Sequence, residues 1–468
     1  MIEKSDLLLI KPLSKYSLQY TPSLGLGFIA SYVEKCGFSV QIFDCNIRKV
    51  APEDLSKHLA IKNYRLVGLQ AYDMDLKEVK DYLEVIHKEA PGVPVIVGGP
   101  APSSSPEFVL NFLKDADFLA VGEGEIAIGK LLKILSPKMD RSLLEQIPNL
   151  AWIEEGKVHL TPHEYISDLD VIGAPAWDRI NPGLYSNAVH GFFYRRLPVL
   201  PIMISRGCPF HCSFCGSRNI TGYKVRRRDP VQVVDELEYL KNNYGLKEFQ
   251  IIDDNFTFPA EAALEFAQEL IERHLDLLWT CPNGLRIDTL NKKLLATMKQ
   301  SGCYEVAVGI ESADPGILKD MGKNLALEVV TENVKLIHSQ GINVVGFFIV
   351  GYPLETEETL RKTLKFILSL PLIRISLTRF IPMLGTPVTD RLIANGEIRS
   401  AEIDPTKQNY NSLTYVPCGL TEDRLRYWFR LFFLRFSLRP RIIIHNIRNI
   451  RSLSHAKIIA KKVLGFFK

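Results

Sequence analysis

Apolar runs of four or five residues recur along the first third of the chain, each followed by a longer stretch whose apolar positions return every three or four residues. The runs at 6–10, 39–43, 66–70, 93–97 and 118–121 read as strands buried on both faces, and the stretches between them as helices that cover a sheet. Five such strands with helical crossovers predict a doubly wound, Rossmann-like α/β domain over residues 1–140. Ligands of such sheets bind at the carboxyl ends of the strands, so the residues just after each run carry the information.

The alternation breaks down between 141 and 195. There Ala151-Trp152-Ile153 and Val158-His159-Leu160 flank Glu154-Glu155-Gly156-Lys157, a hairpin pattern inside what reads as a connector. Asp168, Asp170 and the run Pro175-Ala176-Trp177-Asp178 belong to the same stretch, with acids expected to be structural. From 196 the strand and helix pattern resumes, with strands at 199–204, 248–252, 277–281, 305–310, 342–350 and 375–380. Six βα units suit a partial (β/α)6 barrel over 196–395, whose polar residues should gather at the carboxyl ends of its strands. Residues 396–468 read as a basic, mainly helical C-terminal region.

Composition changes this picture only in part. A chain of 468 residues that is 46% apolar is too long for one ordinary core, which agrees with several domains. The eight cysteines are scattered, and the charged opening residues precede an apolar stretch of only 7–10, so reduced thiols in a cytoplasmic protein are expected. No apolar run approaches the ~20 residues of a membrane span. Charge is uneven: residues 424–468 hold eight Arg, four Lys and no acid, which leaves a net −8 on the rest of a chain whose total is +4. Aromatic and aliphatic residues are interleaved with these cations, which fits either an amphipathic segment on an anionic membrane or a helical cap packed on the body. A divided role is the expectation, with 424–444 packed and 448–468 in peripheral contact with lipid at the inner membrane face. Nothing else in the chain reads as a nucleic-acid module, and no nucleic-acid partner is expected.

The chemistry concentrates at Cys208, Cys212 and Cys215, a C-x3-C-x2-C triplet that follows the first barrel strand. Three thiolates with no fourth nearby suit an iron-sulfur cluster that leaves one iron open to a ligand. A structural zinc with His211 as fourth ligand, or three unrelated thiols, are the alternatives. Zinc usually draws its ligands from two separated pairs, and Cys281, Cys303 and Cys418 stand singly. The run Ser-Arg-Gly-Cys-Pro-Phe-His-Cys-Ser-Phe-Cys, with Phe214 just before the third cysteine, resembles the cluster loop of the radical S-adenosylmethionine (SAM) superfamily. That resemblance implies a 4Fe-4S cluster, SAM bound at its open iron, and reductive cleavage to a 5′-deoxyadenosyl radical. It also implies SAM contacts at Asp254 for the amino group, at Asn283 and Arg286 for the carboxylate, at Glu311 and Ser312 of the Gly-Ile-Glu-Ser segment, and at Gly351 of Gly351-Tyr352-Pro353 beside adenine. Capping of the following helix is the competing role for Asp254.

Earlier in the chain, Thr21-Pro22-Ser23-Leu24-Gly25-Leu26, Phe43-Asp44, Val97-Gly98-Gly99-Pro100 and Val121-Gly122-Glu123-Gly124-Glu125 resemble the cobalamin-binding domain fused to many radical SAM enzymes. By that likeness Leu24, Gly25, Gln70, Tyr72, Gly98, Gly99, Gly122, Glu123 and Gly124 would border cobalamin. Gly25-x-Gly27-x-x-Ala30 could instead be a dinucleotide fingerprint, but the first strand ends at residue 10 and the first glycine stands at 25, too far for the tight turn that motif needs. Glycines for close helix packing are the better reading. Residues 44–49 lack the histidine of the Asp-x-His-x-x-Gly sequence found in other cobalamin domains, so no histidine from this loop is expected on cobalt. The function these likenesses imply is methylation of an unactivated carbon or phosphorus centre. Oxidative cyclisation or rearrangement of a porphyrin-like or lipid substrate is the alternative, as in the anaerobic magnesium-protoporphyrin ester cyclase family, and a non-catalytic cobalamin sensor stands further off. The partners implied are a small-molecule or lipid-like substrate and an electron donor such as flavodoxin or ferredoxin.

Overall fold

The structure is a computed structural model that describes residues 5–15, 21–135, 139–185, 194–407 and 413–448. Strands β1 (Leu7–Lys11), β2 (Val40–Asp44), β3 (Leu66–Gln70), β4 (Val95–Gly98) and β5 (Phe118–Ala120) form a parallel sheet in the order β2-β1-β3-β4-β5. The order reverses beside β1, which creates the switch point at which open α/β sheets take their ligands. The hairpin expected in the connector instead extends this sheet: β6 (Leu150–Glu154) pairs antiparallel with β5, and β7 (Lys157–Leu160) pairs with β6. The reason is edge protection, since β5 would otherwise leave a row of unpaired backbone groups, and Leu150, Ala151 and Trp152 are buried in the act of covering it.

The helix Leu24–Lys35 begins at Ser23, whose hydroxyl accepts from Leu26 N at 3.4 Å. A Cβ on Gly27 would lie 2.5 Å from Ile180 Cδ1, and Ala176 N donates to Gly27 O at 3.0 Å, so this glycine serves close packing against the connector. Nothing lies within 4 Å of a Cβ on Gly25. Two of the connector's acids make structural bonds: Asp168 caps a turn through Asp170 N, and Asp170 accepts from Asp229 N at 3.0 Å.

The second sheet runs β8 (Val199–Ile202), β11 (Glu248–Ile251), β12 (Leu278–Leu285), β13 (Cys303–Glu311), β14 (Asn343–Val350) and β15 (Arg374–Arg379), all parallel and without reversal, as a partial barrel requires. A separate antiparallel ladder joins β9 (Ser205–Arg206) to β10 (Arg226–Arg227). The first barrel strand is shorter than expected because Ile204 N and Ser205 N donate to the Asp253 carboxylate, which takes them out of the barrel sheet. One hydrophobic core crosses the seam between the two halves, from Leu24 and Phe28 through Trp177 and Ile180 to the barrel helices.

The C-terminal helix Glu422–Ser437 buries Leu425, Trp428, Phe429, Phe432 and Phe436 in that same core. Its successor Pro440–Arg448 buries Ile442 but leaves Ile443, Ile444 and Ile447 exposed, so the packed half ends at 442 rather than 444. Residues 449–468, nearly all of the expected lipid-facing half, lie outside the described residues. Among the described residues no helix is long and apolar enough to cross a membrane. Phe432 is fully buried, so Phe432→Ala should cost about 3–5 kcal/mol. Chemical denaturation of the anaerobically purified variant measures this, and a loss below about 1 kcal/mol, typical of a surface site, would mean that the helix is not part of the core.

Candidate active site

The cluster loop is fixed at its start by a buried carboxylate. Asp253 follows β11 and accepts from Ile204 N at 2.8 Å, Ser205 N at 2.8 Å and Ser205 Oγ at 2.6 Å. Gly207 then turns the chain at φ 93°, where a Cβ would lie 2.3 Å from Lys224 O, so only glycine fits. The far half of the loop is held from three sides. Ser213 N donates to Met321 O, Val388 N donates to Ser213 O, and Ser213 Oγ lies 3.1 Å from Tyr352 Oη. Tyr352 in turn donates to Asp320 at 2.6 Å, and Arg391 grips that carboxylate with two bonds of 2.7 and 2.6 Å.

This frame gathers Cys208, Cys212 and Cys215, all half-buried, at the carboxyl ends of the barrel strands. Burial pushes the Cys208 thiol up to about 11, with Cys215, Asp254 and Cys212 adding repulsion between negative charges. Burial raises Cys212 as well, opposed by Lys323 and Arg286. Such thiols lose their protons on ligation. His211 has its ring stacked on Tyr223 at 4.2 Å, and among the described residues no group of three or more His, Cys, Asp or Glu is placed to hold a metal ion.

The residues expected to contact SAM lie around this loop. Asp254 accepts from Thr221 Oγ1 at 2.5 Å, and Asn283, exposed, donates to Ile252 O at 2.5 Å. Arg286 covers the Phe210 ring at 4.1 Å while its Nε and Nη2 bond Asp288 and the Lys323 carbonyl, which commits much of the cation expected for the SAM carboxylate. Glu311 sits at φ 66° with its carboxylate 2.7 Å from Lys323 Nζ, both side chains buried. Gly309 makes the room, since a Cβ there would lie 2.5 Å from Glu311 Oε1. Lys323 is absent from the sequence reading; its chain position carries no pattern, and only the fold brings it to Glu311. Ser312 accepts from Asp314 N at 3.2 Å and is a buried turn residue, and Phe214 packs with Tyr352 and Phe380. Gly351 turns at φ 89° and donates its N–H to Glu355.

On the facing edge of the first sheet, Leu24 is buried, Tyr72 is exposed and Gln70 ends β3 with a buried Oε1 that has no partner. Gly98 has room only to Ala120, and a Cβ on Gly99, at φ 117°, would strike Ala71 O at 2.7 Å. Gly122, at φ 81°, lies under the His163 ring, 1.9 Å from Nε2 for an added Cβ, and Gly124 opens the helix Gly124–Ile134. His163 is thus brought to this edge by the hairpin's exit, another residue the sequence reading missed. The Glu123 side chain is not free for a ligand: it is buried in ion pairs with Arg206 and Arg226. Asp44 accepts from Tyr185 at 2.5 Å and caps the turn Cys45–Arg48.

The two edges meet directly. A Cβ on Gly385 of the last barrel loop would lie 2.4 Å from Ser104 O, and one on Gly216 of the cluster loop 3.8 Å from Ser104 Oγ. Beside this contact a cavity of about 550 Å³ is lined by Ser103, Ser104, His163, Asn219 and Gly385 among others. Gln70 Oε1 and Ser105 Oγ of the sheet half, and Asn255 Nδ2 just after β11, are among the buried polar atoms without partners. Unsatisfied groups of this kind are few in native proteins and fit a seam built to take polar cofactors.

Residues 11–132 match the B12 binding domain, and residues 202–367 match the Radical SAM superfamily. The chain is therefore a radical SAM enzyme with an N-terminal B12-binding domain. It is similar to an uncharacterized methyltransferase of Pyrococcus horikoshii, 29% identical over 96% of this chain and 94% of that one. It is also similar to the anaerobic magnesium-protoporphyrin IX monomethyl ester cyclase of Rubrivivax gelatinosus, 28% identical over 74% of this chain and 61% of that one. In fold it resembles the cobalamin-dependent S-adenosylmethionine radical enzyme OxsB, with a TM-score of 0.75 at 17% identity, over 99% of this chain and 71% of that one.

Glu355 offers a pH test of this frame. It is 2% exposed, accepts from Gly351 N, and burial pushes its carboxyl from 4.5 up to about 8. The native state therefore holds a proton that the unfolded chain loses, and this group's contribution to stability falls as pH rises from 4.5 through about 8. Glu355→Gln keeps a neutral acceptor and removes that slope. Its Tm relative to the parent should shift in the variant's favour across this window; a constant difference would show that Glu355 is ionised in the folded protein throughout.

Proposed function

We propose that this enzyme transfers a methyl group to an unactivated carbon or phosphorus centre of a small molecule, using a 4Fe-4S cluster, SAM and cobalamin in the seam between sheet and barrel. The observation that carries the reading is the direct contact of the short helix Pro100–Ser104 after β4 with the cluster loop and the last barrel loop, at Ser104, Gly216 and Gly385. Bound there, the cofactors would supply one-electron cleavage of SAM to a 5′-deoxyadenosyl radical together with a methyl donor. The chain's own part is to hold and exclude. Cys208, Cys212 and Cys215 would hold the cluster by their three thiolates. Asp254 is positioned for an ammonium group and Asn255 Nδ2 for an acceptor, and the Glu311 and Lys323 pair presents a fixed dipole near Cys212. The aromatic packing of Phe214, Tyr352 and Phe380 keeps water from that side. The enzyme needs a reductant, and flavodoxin or ferredoxin would serve.

Anaerobically reconstituted protein should cleave SAM to 5′-deoxyadenosine and, with substrate, yield a product heavier by one methyl group in place of hydrogen. Cys208→Ala, Cys212→Ala and Cys215→Ala should each abolish 5′-deoxyadenosine, while Cys281→Ala should not. Radical formation with loss of hydrogen and a new ring would favour the cyclase-like reading, which the similarity to the Rubrivivax cyclase supports.

The C-terminal region carries a second role in this reading. Exposed Leu438, Ile443, Ile444 and Ile447 beside exposed Arg435 and Arg441, with twelve cations and no acid over 424–468, suit an anionic membrane surface. Phosphatidylglycerol vesicles should bind the full chain in a salt-sensitive way, and Ile443→Ser with Ile447→Ser should weaken that binding without changing SAM cleavage. Equal binding to neutral vesicles would contradict it.

A further inference from the structure

Four ionised side chains are sealed in the seam between the two halves. Arg206 Nη2 lies 2.6 Å from Glu125 Oε1 and its Nη1 lies 3.4 Å from Glu123 Oε1, while Arg226 Nη1 lies 2.8 Å from the Glu123 carboxylate. All four are at least 94% buried. The arginines come from one half and the glutamates from the other: Arg206 and Arg226 face each other in the β9–β10 ladder, and Glu123 and Glu125 flank Gly124 at the end of the first parallel sheet. The guanidinium faces are covered as well, Arg206 by Phe28 at 5.1 Å and Arg226 by Tyr165 at 5.1 Å.

Burying four charges is a poor way to make two domains adhere, because a hydrophobic seam of the same volume would hold as well or better. What charge pairs add is direction. Arg206 spans both carboxylates, hydrogen-bonded to Glu125 through Nη2 and ion-paired at 3.4 Å with Glu123 through Nη1, which constrains distance and angle in a way that apolar contacts do not. The covalent paths from this clamp to both candidate cofactor loops are as short as the chain allows. Arg206 is joined through Gly207 to Cys208, and Glu123 follows Gly122 directly. Arg226 also donates to Thr221 O at 2.7 Å, and Thr221 Oγ1 bonds Asp254, so the clamp reaches a second residue beside the cluster loop.

We infer that Arg206 and Arg226 are positioning residues that set the spacing and orientation between the cluster loop and the Gly122–Gly124 loop, so that radical formation and group transfer stay coupled. This rests on the reading that both cofactors occupy the seam. The test compares the holoenzyme with Arg206→Lys, which keeps the charge and loses the fork, and with Glu125→Gln, which keeps the shape and loses the charge. Iron and cobalamin contents should match the parent. Pulsed electron paramagnetic resonance between the reduced cluster and Co(II) should show a broadened distance distribution in both variants. Methylated product per 5′-deoxyadenosine should fall by about tenfold or more, since ~1 Å of misplacement can cost about a hundredfold in rate. Variants that are folded and loaded, with the parent's distance distribution and the parent's product ratio, would overturn the inference. A parent that binds no cobalamin would instead sink the functional reading beneath it. A parent that binds cobalamin but transfers no methyl would leave the distance measurement as the deciding result.

Discussion

Two carboxylates and two guanidiniums, closed off from water, hold the sheet edge and the barrel mouth against one another. Each half ends its parallel strands in polar loops, and such loops need a partner or solvent for their backbone and side chains. Here the partner is the other half. Glu123 and Glu125 follow the last parallel strand of the first sheet, and Arg206 and Arg226 meet them from the β9–β10 ladder, whose start Asp253 fixes by accepting from Ile204 N and Ser205 N. The apolar core that crosses the seam supplies adhesion, and the ion pairs supply alignment.

The cluster loop shows the same division of labour on a smaller scale. Backbone meets backbone where side chains are forbidden: Gly207 of the loop lies under Lys224 O, and Gly322, in the turn after the helix Pro315–Asp320, lies under the loop's His211 O, where a Cβ would lie 2.5 Å away. The loop's polar anchors come from four separate elements: Asp253 just after β11, Tyr352 just after β14, Asp320 at the end of the helix Pro315–Asp320 and Arg391 in the helix Pro387–Ala394. Groups held this firmly before any ligand arrives need little reorganisation when charge develops, which is how a barrel mouth favours a reactive species over its decay in water.

Most of the architecture was legible in the sequence because parallel strands buried on both faces are continuous apolar runs, and the chain punctuates them regularly. The hairpin was visible as a hairpin, but its membership in the first sheet was not, since nothing local says which edge a strand will cover. The three cysteines were legible for the same reason that the strands were: their meaning lies in spacing. Site residues defined by tertiary meeting were not. Lys323 reaches Glu311 across a left-handed turn, His163 fills the hollow at Gly122, and the Arg206 and Arg226 pair finds two glutamates some eighty to a hundred residues earlier. Arg286 misled in the other direction, because an acid two residues on claims a cation that position alone made look available.

The account stands or falls on two metals lying in one seam. A crystal of the anaerobic holoenzyme with SAM and cobalamin, measured at the iron and cobalt absorption edges, answers that in one data set. Iron should appear at the sulfurs of Cys208, Cys212 and Cys215, with cobalt between the carboxyl edge of the first sheet and the barrel mouth. Cobalt absent from that space at full cobalamin loading, or iron on other cysteines, would contradict it.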